Sequence, residues 1–321
     1  MKVIPRTDKG YTQDPTHYLN FRRFNKQAGN FVLLEAGFGF SKKMRWGQYG
    51  FSRKQLNNIL SKKIIRLDFE EPNKFFVGDN PDEYDGDFYK IFTICPYTAD
   101  WLNKRQGNKK HIPIYFPFNE QYIPKETPKK YDIIYTGHIL SKPILKDIKT
   151  ISKFNHRVVS NSDHPLVTNK STSYQEKLLL ISQSRITLVH NLLYLNPRHI
   201  YNVWKFPDWQ ENKAFRFIPK WYRSWRLTDY VIAPQLKSRL FEAAFSKSLI
   251  LCKRDPFNLV ERYFKENQEF VYFEEGKLEE KIKNILENFR IYEKIIDQAF
   301  KKAVKNYTTK EFFLRYLKDL V

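Results

Sequence analysis

Short apolar runs alternate with helix-forming stretches along most of this chain, and this alternation constrains its fold more than any other feature. The clearest runs are Phe31–Leu34, Ile64–Leu67, Tyr131–Thr136, Ile186–Val189 and Leu249–Cys252. Strands that are buried on both faces read as continuous apolar runs, so the pattern predicts parallel sheets covered by helices on both sides. The fold class that it indicates is α/β. After the last of these runs, Pro256 is expected to open a helix that ends at Phe264.

A polar stretch that contains prolines divides the pattern into two halves. Residues 120–130 carry Pro124 and Pro128 among charged side chains, and a new apolar run begins at Tyr131. Ser141 is predicted to cap the helix that follows. We therefore predict an N-terminal domain, a C-terminal βα domain and C-terminal helices. Their predicted limits are residues 1–128, 129–290 and 291–321.

The chain carries a strong positive charge. Its 321 residues include 56 Lys and Arg against 35 Asp and Glu, which gives a formal net charge of +21. A field of this strength favours anionic partners, namely nucleotide phosphates, nucleic acid or anionic lipid head groups. The sequence has no zinc-ligand spacing, no RNA-recognition motif and no isolated basic tail. A nucleic-acid-binding protein is therefore the less favoured alternative.

Other features bear on the compartment in which the chain works. Cys95 and Cys252 each lie inside an apolar run, which predicts buried thiols and excludes a disulfide framework. The first residues lack the apolar segment of a signal peptide, and no apolar run reaches the roughly 18 residues that span a bilayer. We expect a cytoplasmic protein, with peripheral contact to an anionic membrane as the alternative location.

The segment from Pro234 to Ala244 carries the clearest binding chemistry. It predicts a helix opened by Pro234, with Lys237 and Arg239 in its first turns. A helix N-terminus offers unpaired N–H groups and partial positive charge to a phosphate, and the two cations add charge-assisted hydrogen bonds. Glu242, one turn further on, offers a carboxylate to the hydroxyls of a ribose. The alternative interpretation is a solvated helix with an ordinary Arg239–Glu242 pair.

Two more segments extend this motif to a family resemblance. They are Tyr131–Gly137 and Glu269–Phe273, which lie before and after the cation-containing helix. Over roughly residues 130–320, the chain resembles the group 1 glycosyltransferases of GT-B type, in particular the branch of CgeB-like spore-maturation proteins. The resemblance implies two Rossmann-like domains that face each other across a cleft, with the acceptor against the N-terminal domain and the C-terminal helices packed back on that domain. It also implies transfer of a sugar from a nucleotide-diphosphate donor to a glycan, a lipid-linked acceptor or a protein.

The resemblance assigns roles to residues of the second half. Gly137 would let the first strand-to-helix turn approach the donor, Lys237 and Arg239 would hold the diphosphate, and Glu242 would bind the ribose. Further polar residues end strands or begin the helix beside them. The donor-binding residues that we predict are Gly137, His138, His190, Asn191, Gln235, Lys237, Arg239 and Glu242. For the two histidines, an ordinary polar loop position is the alternative.

The catalytic group is less defined by the sequence. Retaining members of the wider group often carry a second glutamate eight positions before the ribose glutamate, where this chain has Pro234. An inverting transfer needs a general base instead, and ligands of open α/β sheets bind beyond the carboxyl ends of strands. The general-base candidates are therefore Glu35, Asp68 and Glu70, with helix-capping loop carboxylates as the alternative. A GT-B-like protein that binds a nucleotide without catalysis is a further alternative.

Neither a metal nor another cofactor is expected. Asp85-Gly86-Asp87 matches the metal-binding Asp-x-Asp of the other glycosyltransferase fold, yet it lies in a run of turn-forming residues before a strand. A turn is therefore the favoured interpretation. The histidines show no metal-ligand spacing. GT-B enzymes generally work without a metal, and the two cations of the helix motif would neutralise the departing diphosphate.

Residues 192–232 interrupt the alternation of strands and helices. Tryptophans are interleaved there with basic residues, a combination that stacks bases, lies at membrane interfaces or binds sugar faces. The tryptophans are Trp204, Trp209, Trp221 and Trp225. We interpret the segment as an insertion that buries most of its tryptophans and serves as a lid or as a contact for the acceptor.

Overall fold

The chain folds into two compact units. The computed structural model describes residues 2–4, 30–35, 52–69, 72, 75, 88–195, 200–215 and 231–320. Described residues of the ranges 1–117, 195–235 and 312–321 form the first unit, and those of 118–194 and 236–311 form the second. The chain therefore passes from one unit to the other near residues 117, 194, 235 and 311. The predicted domain limits differ from this division and stay predictions.

A five-stranded parallel sheet forms the centre of the first unit. Its strands in spatial order are β1 (Lys2–Ile4), β2 (Phe31–Glu35), β3 (Lys63–Asp68), β4 (Lys90–Thr93) and β5 (His111–Pro113). Each neighbouring pair runs parallel, with Val32 opposite Ile64 and Arg66 opposite Ile91. Val32, Ile64 and Ile91 are fully buried in one apolar cluster. Burial of both sheet faces explains why these strands read as continuous apolar runs.

Two helices of the first unit follow strands of this sheet. Helix α1 spans Arg53–Leu60 and helix α2 spans Pro96–Gln106. Pro96 suits the first turn of α2, because its missing N–H has no partner to lose there. Gly107 ends the helix with a φ of 61°, the left-handed conformation that glycine adopts without strain.

Part of the 192–232 segment belongs to the core of the first unit. Trp101 of α2 packs edge to face on Phe75, Phe206 and Phe215, with ring centroids 5.5 Å, 5.9 Å and 5.9 Å away. Its indole N–H donates to Oδ2 of Asp208 at 2.9 Å. Edge-to-face aromatic packing adds about 0.5–1.5 kcal/mol per pair beyond area burial. Phe206, Asp208 and Phe215 of this segment thus pack around an aromatic residue of the N-terminal half.

A second five-stranded parallel sheet forms the centre of the second unit. Its strands in spatial order are β12 (Val271–Phe273), β11 (Leu249–Lys253), β8 (Ser184–Val189), β6 (Tyr131–Thr136) and β7 (His156–Val159). All four neighbouring pairs are parallel. After β7 the chain returns past β6 to place β8 on its other side. The order of strands therefore reverses between β6 and β8, which is the position where open α/β sheets bind ligands.

Helices connect and cover the strands of the second sheet. They are α3 (Lys142–Ile151), α4 (Tyr174–Ser182), α5 (Ser238–Phe245), α6 (Leu278–Glu287) and α7 (Phe289–Asn306). Ser141 caps α3 as predicted, because its hydroxyl accepts from the backbone N–H of Ile144 at 3.4 Å. Ser173 caps α4 in the same way through Glu176 N–H at 3.2 Å. Each cap satisfies an N–H that the helix itself leaves unpaired.

Residues 123–130 run along the amino ends of the second sheet. The ammonium of Lys129 donates to three backbone carbonyls, those of Ser182 at 2.8 Å, Ser184 at 3.0 Å and Lys247 at 2.6 Å. Burial lowers the pKa of Lys129 to about 8, so the ammonium form still prevails at neutral pH. One lysine thus ties the end of α4, the start of β8 and the turn before β11 to this segment.

Two predicted helix starts are wrong. Two further short strands are β9 (Leu192–Leu195) and β10 (Val231–Pro234). Pro234 thus ends a strand, and the helix begins only at Ser238, with Lys237 as its N-cap residue. Pro256 opens no α-helix, because only a short 3₁₀ turn forms at Leu259–Arg262. Since a proline fixes its own φ without committing the following residues to a helix, it also fits turns and strand ends.

The described helices include none that is both long enough and apolar enough to cross a membrane.

Candidate functional site

The predicted donor-binding residues cluster at the carboxyl ends of β6 and β8. Gly137 and His138 directly follow β6, whereas His190 and Asn191 directly follow β8. Helix α5 begins beside them, because the backbone N–H of Lys237 donates to Oδ1 of the buried Asn191 at 3.0 Å. These loops flank the position where the strand order reverses. The sheet topology therefore gathers side chains that are about a hundred residues apart in sequence at one ligand-binding edge.

Arg239 lies directly against Gly137. The φ of Gly137 is 127°, a value that residues with a side chain rarely adopt. A Cβ atom at this position would overlap the guanidinium of Arg239. The guanidinium also lies 5.0 Å from the ring centroid of Tyr135, within the range of a cation–π interaction. The absence of a side chain at Gly137 thus creates the space that Arg239 occupies.

The loop after β6 is fixed by Tyr135. The hydroxyl of Tyr135 donates to the backbone carbonyl of His138 at 2.9 Å, and the His138 side chain is exposed. The ring of His190 stands nearly perpendicular to the Tyr135 ring, with centroids 6.4 Å apart. Tyr135 therefore fixes the loop that contains Gly137 and also supplies the aromatic ring on which Arg239 rests.

Glu242 lies one turn further along α5 and pairs with a lysine from another helix. Its Oε1 is 2.9 Å from the ammonium of Lys177 on α4. The Glu242 side chain is 2% exposed and that of Lys177 is 22% exposed. The ion pair is therefore largely removed from water, and loss of one partner would leave a buried charge without compensation. The surface pair between Arg239 and Glu242 that the alternative interpretation called for is not among the ion pairs of the described residues.

A network of polar and charged groups extends from His190 to Asp147, Lys253 and Glu275. Nε2 of His190 lies 3.3 Å from Oδ2 of Asp147, and the ammonium of Lys253 lies 3.5 Å from the same oxygen. Lys253 also pairs with Glu275. Burial, together with the charges of Lys253 and Arg239, holds the pKa of His190 well below its usual range. His190 is therefore neutral at neutral pH, and burial raises the pKa of Asp147 as well.

Several buried polar atoms of this unit lack a hydrogen-bond partner within the described part of the chain. They include both ring nitrogens of His190, Oε2 of Glu242, Oδ2 of Asp255 and the hydroxyl of Tyr272. Burial raises the pKa of Asp255 to about 6, although its Oδ1 accepts from two backbone N–H groups. Buried polar groups in folded proteins are nearly always paired, so unpaired ones at a strand edge indicate a site for a ligand.

The remaining site predictions are less well defined by the structure. Gln235, which directly follows β10 in the sequence, is buried. Asp68 is buried at the end of β3, 3.1 Å from the guanidinium of Arg66. Glu35 ends β2 by its backbone, and Glu70 lies outside the described residues. The three carboxylates stay predictions as general-base candidates.

Two of the four tryptophans of residues 192–232 lie among the described residues. Trp204 and Trp209 are partly exposed, whereas Trp221 and Trp225 lie outside the described residues, as does the Asp85–Asp87 turn. Over the residues that the structure describes, no group of three or more histidines, cysteines and carboxylates is placed to hold a metal ion.

Four residues of this site were not predicted from the sequence. They are Tyr135, Asp147, Lys177 and Lys253. A charged residue that ends an otherwise apolar strand was a usable signal for Lys253. Lys177 had no such signal, because it lies 65 positions before the glutamate that it pairs with.

The chain resembles known proteins in its fold but not in its sequence. No protein-family profile matches the chain, and no curated protein sequence matches it significantly. Solved structures of glycosyltransferases do resemble it in fold. Together with the two Rossmann-like parallel sheets, this likeness defines the chain as an α/β protein with the GT-B fold. The CgeB-like branch remains a prediction from the sequence.

Three of the similar structures illustrate the likeness. Anabaena Alr3699/HepE in complex with UDP-glucose has a TM-score of 0.55 at 8% identity, over 91% of this chain and 78% of that one. A glycosyltransferase from Rickettsia africae ESF-5 has a TM-score of 0.50 at 12% identity, over 93% and 77%. The pneumococcal O-GlcNAc transferase GtfA in complex with UDP and GlcNAc has 0.50 at 11%, over 90% and 56%. The chain thus spans little more than half the length of GtfA.

Proposed function

We propose that this chain is a glycosyltransferase that moves a sugar from a nucleotide-diphosphate donor held by its second unit. The observation that carries the proposal is the position of Arg239 against Gly137, at the place where the strand order of the sheet reverses. Of the proteins with a similar fold, HepE is in complex with UDP-glucose and GtfA with UDP and GlcNAc. A nucleoside diphosphate is therefore the ligand class that fits both the site chemistry and the fold.

The proposed reaction breaks the bond between the anomeric carbon of the sugar and the diphosphate oxygen. An acceptor hydroxyl forms the new bond to that carbon and gives up its proton to a general base. Negative charge accumulates on the departing diphosphate, so preorganised positive groups beside it lower the barrier. Arg239 and Lys237 would supply that charge together with the N–H groups at the start of α5. We propose that these groups replace a metal ion in the reaction.

Other residues of the site would orient the donor. Glu242 would accept a hydrogen bond from the ribose, and neutral His190 would donate one without adding charge. The general base stays a prediction among Glu35, Asp68 and Glu70. The acceptor is proposed to be a glycan, a lipid-linked molecule or a protein, and peripheral contact with an anionic membrane would follow from the net charge of +21.

Nucleoside diphosphate binding tests the proposal. The melting temperature is measured with UDP, GDP, ADP and CDP, each in the presence of EDTA. A ligand that binds only the folded state at about 100 times its Kd adds roughly 2.7 kcal/mol of stability, a shift of several degrees. We expect such a shift for the wild type and its near-complete loss in Arg239→Ala.

The chain offers a matched control for this variant. Arg157 also stacks on a tyrosine of β6, with its guanidinium 4.1 Å from the Tyr131 ring centroid, but at the amino end of the strand. Arg157→Ala should keep the full nucleotide-dependent shift. No shift with any of the four nucleotides would refute the proposal. Release of free sugar or diphosphate from UDP-glucose and related donors then separates an enzyme from a non-catalytic nucleotide-binding protein.

A further inference from the structure

We infer that Lys177 is a positioning residue for Glu242, which it holds so that one carboxylate oxygen, Oε2, is left to recognise a ribose hydroxyl. This inference rests on the proposed function, because it assigns the sugar of the nucleotide to one atom of the site. Lys177 lies outside the helix motif that carries the predicted donor-binding residues, and it reaches that motif only through the tertiary structure.

The first step of the argument is the geometry of the pair. The ammonium of Lys177 lies 2.9 Å from Oε1 of Glu242, a charge-assisted hydrogen-bond distance. The same ammonium lies 4.6 Å from the ring centroid of Tyr174, one turn earlier on α4. A cation held between a carboxylate and an aromatic face has little freedom to turn away. The Oε1 atom of Glu242 is therefore fixed by a group that is itself fixed.

The second step is the state of the other oxygen. Oε2 of Glu242 is buried and accepts no hydrogen bond from the described residues. An ionised carboxylate accepts hydrogen bonds on both oxygens, and a buried acceptor without a donor destabilises the folded state. A ligand hydroxyl at Oε2 would remove this cost. Since Oε1 is already used by Lys177, the contact with the ribose would run through Oε2 alone.

The third step is the position of the pair relative to the rest of the site. Glu242 lies one turn beyond Arg239 on α5, whose guanidinium rests against Gly137 at the strand ends. A ribose is joined directly to the diphosphate in a nucleotide. A phosphate contact and a ribose contact one helical turn apart therefore follow the covalent order of the ligand.

The test combines a protein variant with a ligand variant. The Kd values of UDP, GDP, ADP and CDP and of their 2′-deoxy and 3′-deoxy forms are measured for the wild type, Lys177→Met, Lys177→Arg and Glu242→Gln. In the wild type, removal of the hydroxyl that contacts Oε2 should weaken binding about tenfold, as for a hydrogen bond to a charged group. Lys177→Met should bind the ribose and deoxyribose forms alike. Lys177→Arg should retain most of the preference, because it keeps the cation.

The outcomes separate a positioning role from a structural one. If Lys177 had only a structural role, its substitution would weaken the binding of ribose and deoxyribose nucleotides equally. A preserved preference for ribose in Lys177→Met therefore overturns the inference. Equal binding of all forms by the wild type overturns it too, while nucleotide binding itself stands. Absence of wild-type binding refutes the proposed function instead. If Lys177→Met does not fold, Lys177→Gln is judged by the same criterion, and Glu242→Gln should lose the preference in either case.

Discussion

Two arginine–tyrosine stacks lie at opposite ends of strand β6 and differ in how their guanidinium groups are bonded. At the amino end, Arg157 donates to the hydroxyl of Tyr131 and to the carbonyl of His156, both at 3.1 Å. At the carboxyl end, the guanidinium of Arg239 rests on Tyr135 and makes no hydrogen bond to the described residues. A guanidinium carries five N–H donors. The comparison indicates that Arg157 is structural, whereas the donors of Arg239 are not used by the described residues, as the proposed anion site requires.

The wider surroundings of the two strand ends differ in the same sense. At the amino end, the Lys129 ammonium saturates its three donors on three carbonyls. At the carboxyl end, His190 and Glu242 retain buried atoms without partners in the described part of the chain. Buried polar groups in folded proteins are nearly always paired, and the proposed site accounts for the exceptions at His190 and Glu242.

Gly137→Ala should give the largest effect, because it breaks the arrangement at the carboxyl end directly. The added methyl group overlaps the Arg239 guanidinium and forces a φ of 127° on alanine. We expect nucleoside diphosphate affinity to fall about 100-fold and the free energy of unfolding to fall by about 2 kcal/mol. Ligand titration and urea denaturation measure the two quantities.

Gly276→Ala is the control for backbone strain. Gly276 also has a positive φ, 78°, but no heavy atom lies within 4 Å of a Cβ built there. It should cost about 1 kcal/mol of stability and leave nucleotide affinity unchanged. Wild-type affinity in Gly137→Ala would show that the placement of Arg239 does not matter for binding.

Lys129→Met should have a smaller effect and only on stability. The substitution keeps the aliphatic chain and leaves three carbonyls without their donor, at a cost of about 2 kcal/mol after water enters. Urea denaturation should show this loss, while nucleotide affinity stays at the wild-type value. Lys125→Met, an exposed lysine of the same segment, should change neither quantity. A fall in nucleotide affinity for Lys129→Met would contradict the distinction between the two strand ends.

The smallest effect should come from His190 and appear as pH dependence. Its pKa is depressed by burial, so below the ordinary value of about 6.5 the unfolded chain binds a proton that the folded chain does not. Stability should therefore fall as pH drops from 7 to 5.5, by up to about 1.4 kcal/mol per pH unit. Asp255, whose pKa is raised to about 6, acts in the opposite direction. Comparison with His190→Asn cancels that contribution, and parallel pH profiles of the two proteins would contradict the prediction.

The sequence predicted the α/β class, both parallel sheets and most strand positions, and the structure confirms these. Strands such as Ile186–Val189 were readable because burial of both faces leaves a continuous apolar run. The cap at Ser141 was readable because capping depends on one side chain and its nearest N–H groups. The helix starts at Pro234 and Pro256 were predicted wrongly, since a proline restricts one residue and several local structures satisfy that restriction.

The candidate site was predictable only as far as local patterns reach. Lys237, Arg239 and Glu242 could be selected because they follow one another on a short helical segment. The roles of Tyr135 and Lys177 could not, because nothing near them in sequence indicates which side chain they meet. Lys177 and Glu242 meet because α4 and α5 pack side by side after the chain has crossed to the other side of β6.

The amino-acid sequence by itself determined most of the segments that become strands and helices, and it placed Lys237, Arg239 and Glu242 on one short segment. These properties depend on side-chain polarity and backbone preference over a few neighbouring residues. Only the tertiary structure decided that Arg239 fills the space left by Gly137, and that Lys177 occupies one oxygen of Glu242 and leaves the other unpaired. Such contacts join residues far apart in the chain, and strand order and helix packing bring them together.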